Sequence, residues 1–218
     1  MALTPDEVSA NLADVQRRIE AAGGDPGRVV VVAVSKTFSA DDVAVALEAG
    51  LRLFGENYAT ELLAKAAALD DTPARWHFLG ALQTNKIARL APVTACFQGV
   101  SRAREAAEIA RRAPGASVMV QVDFTHREGR GGAAPGEVAA LVETARSLEL
   151  DVCGLMTVAP QGADEARQAF ADTRRLADAL ELPERSMGMS EDLELAVAEG
   201  STMVRIGRAL FGPRQLRA

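Results

Sequence analysis

The chain has 218 residues and a mass of 23.0 kDa, 48% of it hydrophobic and 25% charged, proportions that suit one soluble α/β domain. A net charge of −6 argues against a nucleic-acid or anionic-membrane surface, and the longest apolar run, six residues, is far short of a membrane span. The two cysteines, Cys96 and Cys153, fit no metal or redox spacing and read as buried reduced thiols. The N-terminus lacks a charged-then-apolar secretory pattern, so a cytoplasmic protein is expected.

The first element is a helix. Thr4 can cap it, Pro5 suits the first helical position and Glu7 completes a capping box. Val8, Leu12, Val15 and Ile19 recur at helical spacing, and Gly23-Gly24 stops the run. From residue 28 onward short apolar runs alternate with amphipathic segments. Strands are predicted at 29–35, 51–54, 75–79, 95–99, 117–123, 151–156, 184–187 and 202–206. Helices are predicted between them at 40–49, 57–69, 84–90, 102–112, 135–148, 163–180 and 191–198.

Repeated βα units dictate a parallel sheet, because parallel neighbours need a crossover. Eight of them in this length predict a single (β/α)8 TIM barrel spanning residues 1–218 as one domain, with a doubly wound open sheet as the alternative. Almost nothing follows strand eight, so the extra N-terminal helix is expected to cover the barrel where a last helix otherwise lies. The Gly- and Ala-rich stretch Arg127–Gly136 after strand five reads as an active-face loop.

Only three of the 24 basic residues are lysines, and one of them, Lys36, follows the run Val29–Val34 and Ser35. Arginine does not deprotonate in a protein, whereas a lysine desolvated near apolar walls can lose its proton and attack a carbonyl. Lys36 is therefore a candidate Schiff-base lysine, against the plainer reading of a solvated strand end. In a (β/α)8 barrel chemistry sits at the C-terminal strand ends. Glu56-Asn57-Tyr58, Trp76–Gly80, Gly154–Thr157, Ser186–Ser190 and Arg205-Ile206-Gly207 all fall there. Loops after strands seven and eight commonly form a phosphate site. Ser190 reads as the N-cap of the helical run 191–198, Gly188 and Gly207 allow close backbone approach, and Arg205 or Arg208 could supply charge. A strand-one lysine facing a phosphate cup suggests an aldehyde phosphate bound as an imine, and pyridoxal 5′-phosphate (PLP) is the obvious one.

The remaining polar residues are less specific. His77 is as readily a packed histidine as a site residue, and His126 reads as solvated. Lys65, four residues after Glu61, reads as half of a helix-surface pair. Lys86 either approaches the site or is an exposed first-turn lysine. Ligand-spaced carboxylates and cysteines are absent, and so are phosphate-loop and dinucleotide motifs.

Seven stretches jointly resemble a known family: Ala33–Thr37, Phe54–Tyr58, Trp76–Gly80, Leu82–Lys86, Gly154–Met156, Met187–Ser190 and Ser201–Gly207. In order, over nearly the whole chain, they resemble the YggS/PROSC pyridoxal phosphate-binding proteins, also called PLP homeostasis proteins. The resemblance implies a barrel like the N-terminal domain of alanine racemase (PLP fold type III), with PLP on Lys36. It also implies that Asn57 and Met156 line the cofactor, and that Ser186, Ser190, Arg205 and Gly207 serve its phosphate end or ring nitrogen. Which of these Arg205 contacts stays open. Where relatives often carry a second lysine two residues after the first, this chain has Phe38. Where their loop after strand five often holds a lysine, it has Arg127–Gly132.

Three functional readings follow: a non-catalytic protein that buffers or delivers PLP, a PLP-dependent racemase or decarboxylase, and a barrel scaffold without PLP. Racemisation needs an acid/base on each face of the imine, and only Glu56, Tyr58 and His77 offer themselves. An arginine at the ring nitrogen would also weaken the electron sink. The expectation is thus a PLP carrier, not an enzyme. It would be monomeric and contact neither nucleic acid nor membrane, and PLP-dependent apo-enzymes would be its recipients.

Overall fold

The computed structural model describes residues 3–125 and 131–213. Helix α1 (Pro5–Ala21) starts at the predicted capping box, with Glu7 N–H donating to Thr4 Oγ1 at 3.3 Å and Thr4 N–H to Glu7 Oε2 at 3.0 Å. Then follow β1 (Val30–Val34), α2 (Ala40–Glu48), β2 (Leu53–Glu56), α3 (Ala59–Ala68), β3 (Arg75–Phe78) and α4 (Thr84–Leu90). Next come β4 (Thr94–Val100), α5 (Ala103–Arg112), β5 (Ser117–Val122), α6 (Val138–Ser147) and β6 (Asp151–Thr157). The chain continues with α7 (Ala163–Ala179), β7 (Glu184–Ser186), α8 (Leu193–Ala198), β8 (Met203–Ile206) and α9 (Arg208–Phe211).

The strands pair in chain order and all in parallel. β1 meets β2 through Ala33↔Phe54 on one side and β8 through Val30↔Met203 to Ala33↔Ile206 on the other. That double pairing closes the barrel and excludes the open-sheet alternative. Successive side chains of a strand point to opposite faces, so the chain fills two separate volumes. Val32, Cys96, Met119, Met156 and Met203, with Leu53 against them, pack inside the barrel. Ala33, Phe54, Phe97, Val118, Leu155, Val204 and Ile206 face outward and join the helices in the larger core. Fully burying a side chain such as Phe54 stabilises the fold by about 2–3 kcal/mol.

The N-terminal helix lies where it was expected. α1 packs against α2, α8 and α9, with Asn11 Nδ2 donating to the Leu210 carbonyl at 2.8 Å and Arg18 Nε to Glu194 at 2.6 Å. The one-turn α9 was not predicted; it is too short for a periodic signal, and its Phe211 ring packs 4.9 Å from that of Phe38. Strand two also runs two residues later than predicted, because Gly55 and Glu56 look like loop residues. Gly55 belongs in the strand since a Cβ there would sit 2.6 Å from Leu79 Cδ1 and 3.0 Å from Val32 Cγ1. Of the Arg127–Gly136 loop, residues 127–130 lie outside the described residues, as does His126. Its described end returns to the sheet, where Ala133 N–H donates to the Gln121 carbonyl at 2.8 Å.

Gly80, after β3, carries the backbone past Asn57: a Cβ there would overlap the Asn57 carbonyl oxygen. Gly80→Ala should lower the unfolding free energy by about 2 kcal/mol or more, measured by urea denaturation. Gly136→Ala, whose Cβ meets nothing within 4 Å, should change it by no more than about 0.5 kcal/mol.

Candidate cofactor site

Lys36 sits at the mouth of the barrel. Ser35 N–H donates to the Gly55 carbonyl at 3.1 Å, so the ladder of β1 continues one residue past the strand. Ser35 faces outward, with its Oγ donating to Glu56 Oε1 at 2.7 Å. The pleat then directs half-buried Lys36 inward, in line with Val32 and Val34. The chain turns at once: Phe38 N–H donates to the Ser35 carbonyl at 3.0 Å, and Thr37 has φ +72°.

Beside it on the neighbouring strand stands Arg205, inward on β8, in register with Val32 and 4% exposed. Its Nη1 donates to the Ser186 carbonyl at 2.6 Å and to Ser186 Oγ at 2.8 Å, and its Nη2 to the Thr157 carbonyl at 2.6 Å. Ser186 Oγ donates in turn to Gln98 Oε1 at 2.7 Å, and Gln98 Nε2 lies 2.6 Å from His77 Nδ1. The amide nitrogen can only donate, so Nδ1 accepts and the ring is neutral. Burial, with Arg75 adding to it, lowers the His77 pKa to about 4. Burial also lowers Arg205 to about 10, which leaves it cationic at neutral pH. Among the described residues no carboxylate forms an ion pair with Arg205.

The other predicted residues fall around this axis. Asn57 follows β2 and is half-buried; Met156 is buried on the inner face of β6. Gly207 lets the turn after β8 lie against β1, since a Cβ would approach the Val34 carbonyl to 3.1 Å. Ser190 is not a helix cap. α8 begins at Leu193 after Asp192, and Ser190 Oγ instead accepts from Ala209 N–H of α9 at 3.3 Å. Asp192, the residue before α8, makes no side-chain cap bond to the helix either; it accepts from Met189 N–H at 2.6 Å and so holds the preceding turn. Arg208 is exposed and paired with Glu191 at 2.9 Å, and Lys86 is exposed on α4.

One sequence expectation is revised. Lys65 is 5% exposed, not on the surface. It does approach Glu61, at 3.3 Å, but it also donates to Glu56 Oε1 at 2.5 Å and to the Ser35 carbonyl at 2.7 Å. These partners, at the ends of the two preceding strands, gave no periodic signal. The cysteines, 57 residues apart, bring their sulfurs to 4.0 Å in the barrel floor, and both are free thiols. The contact with Cys153, then burial, raises the pKa of Cys96.

Residues 3–215 match the family described as alanine racemase, N-terminal domain, the class of barrel that this fold and mouth define. A pyridoxal phosphate homeostasis protein of Pseudomonas aeruginosa is 42% identical over 97% of both chains. PipY of Synechococcus elongatus, solved with PLP bound and without it, is 34% identical and superposes with TM-scores of 0.84 and 0.85. The match covers 94% of this chain and 100% of PipY. The chain belongs to the pyridoxal phosphate homeostasis protein family.

The neutral His77 makes a stability prediction. Its folded pKa lies below the unfolded 6.5, so the unfolded chain takes up the proton first, and stability is lost as pH falls from 6.5 to about 4. Over that window the chain should lose about 3 kcal/mol more than His77→Asn. Urea midpoints at several pH values measure this, and parallel pH profiles would contradict it.

Proposed function

We propose that this chain binds pyridoxal 5′-phosphate covalently through Lys36 at the barrel mouth and serves PLP homeostasis as a buffer or delivery protein, without turnover of its own. The observation that carries this reading is Arg205: a buried guanidinium that no carboxylate among the described residues pairs directly, with Asp192 acting on it only through space. Burying an unpaired charge is costly, and an electron-rich ligand at the mouth would offset that cost. Three of its five N–H groups donate to Ser186 and Thr157, which leaves two for a ligand.

When bound, PLP supplies an aldehyde, a phosphate dianion and a pyridine nitrogen. Lys36 holds the aldehyde end, and Asn57 and Met156 flank the ring. Arg205, fixed by Ser186 inside the barrel, is assigned the ring nitrogen; always protonated, it donates there and cannot take a proton. Ser190 and Gly207, in the turns above Arg205, are assigned the phosphate end. Support for a non-catalytic role comes from where the acid/base candidates lie. Glu56 faces outward toward α3, Tyr58 is 55% exposed, and the imidazole of His77 is held neutral by Gln98. Residues 1–218 are read as one domain and one functional unit. No helix among the described residues is long and apolar enough to cross a membrane. A cytoplasmic monomer that hands PLP to apo-enzymes completes the reading.

Purified protein given PLP should show a visible absorption band and, after borohydride, a pyridoxyl adduct on the Lys36 peptide. Lys36→Ala should lose both, and Arg205→Gln should weaken PLP binding by about tenfold or more. A band that persists in Lys36→Ala would contradict the assignment. Racemisation or decarboxylation of free amino acids at enzymatic rates would contradict the carrier role.

A further inference from the structure

The residues on either side of Lys36 are held from outside the barrel by one cluster of charge. Ser35, Lys36, Thr37 and Phe38 form a turn closed by Phe38 N–H donating to the Ser35 carbonyl, with a positive φ of +72° at the third position. That is the geometry of a type II turn, where glycine or asparagine is usual. A β-branched residue there is strained and persists only if its surroundings hold it. Here they do. Thr37 N–H donates to Glu61 Oε2 at 2.8 Å, and the Ser35 carbonyl accepts from Lys65 Nζ at 2.7 Å. Lys65 also joins Glu61 at 3.3 Å and Glu56 Oε1 at 2.5 Å, and Ser35 Oγ closes the ring on Glu56. All three ammonium hydrogens have acceptors, in a tetrahedral arrangement that a planar guanidinium does not reproduce. This explains a second lysine in a chain that otherwise uses arginine.

As a stabilising device the cluster is poor. A buried ion pair gains little over apolar packing, and Glu56 Oε2 is buried without a hydrogen-bond partner. Burial raises the Glu56 pKa, and the hydrogen bond from Lys65 opposes the rise.

We propose that Lys65, together with Glu56 and Glu61, is the positioning group of Lys36: it clamps the strained turn from behind the sheet so that the amine is presented to the barrel mouth in one orientation. The proposal rests on the Lys36–PLP reading above. Lys65 itself touches no cofactor, since it lies on the helix side of the sheet.

The experiment uses the full chain as wild type, Lys65→Met, Lys65→Arg, Glu61→Ala and Lys36→Ala. Amide hydrogen exchange at Thr37 and Phe38 is measured without ligand, and the rate and pH midpoint of the PLP absorption band are measured after mixing. Lys65→Met should expose both amides to faster exchange, slow band formation by about tenfold or more and shift its pH midpoint. Lys65→Arg should not restore the wild-type values. If Lys65→Met does not fold, Glu61→Ala decides. It leaves the Lys65–Glu56 pair in place and removes the acceptor of Thr37 N–H together with the longer 3.3 Å contact to Lys65, and it should show the same changes in smaller measure. Folded variants with exchange, rate and midpoint unchanged within about twofold would overturn the positioning role. The two readings fail separately. A band surviving in Lys36→Ala sinks the Lys36 assignment, whereas a band lost there but normal in Lys65→Met sinks only the clamp.

Discussion

Alternation of side chains across a closed sheet is the constraint from which the rest of this structure follows. Because each strand of the barrel sends one residue in and the next out, the order Val34-Ser35-Lys36 delivers an amine to the mouth and a hydroxyl to the helix layer in consecutive positions. Gly55-Glu56 does the same on the neighbouring strand, with a glycine where the interior has no room and a carboxylate where α3 can reach it. A one-residue slip of either strand would exchange these roles. The barrel closure between β1 and β8, fixed by four successive pairings, therefore determines the chemistry as well as the shape.

Among the described residues the chain buries two cations, and their surroundings differ. Lys65 has two carboxylates and a carbonyl around it, and its charge is spent within the fold. Arg205 has a hydroxyl and two carbonyls, which satisfy hydrogen bonds without cancelling charge. A protein interior tolerates a cation without a direct counter-ion poorly, and under the proposed function a ligand completes its surroundings. The chain Arg205–Ser186–Gln98–His77 links that cation to residues of β7, β4 and β3, and the histidine at its end stays neutral near neutral pH.

Most of the barrel was legible because hydrophobic runs and amphipathic segments obey local periods of two and 3.6 residues. The position of Lys36 at the barrel mouth was legible because it is a rare lysine at the end of the most apolar run. What stayed hidden depended on pairings distant in sequence. Lys65 looked like a surface residue because its visible neighbour was Glu61, while Glu56 and the Ser35 carbonyl reach it only through the sheet. Ser190 looked like a helix cap because serine before an acidic run usually is one; Asp192, two residues on, holds the turn instead. The approach of Cys96 to Cys153 carries no sequence signal, since β5 separates their strands.

The most direct test is a crystal structure of the protein loaded with PLP. Continuous density from Lys36 Nζ into the barrel mouth is predicted, with Arg205 against the pyridine nitrogen, the phosphate at the Ser190 and Gly207 turns, and Lys65 still bonded to the Ser35 carbonyl. Cofactor attached to Lys65 or Lys86, or seated away from Arg205, would contradict it.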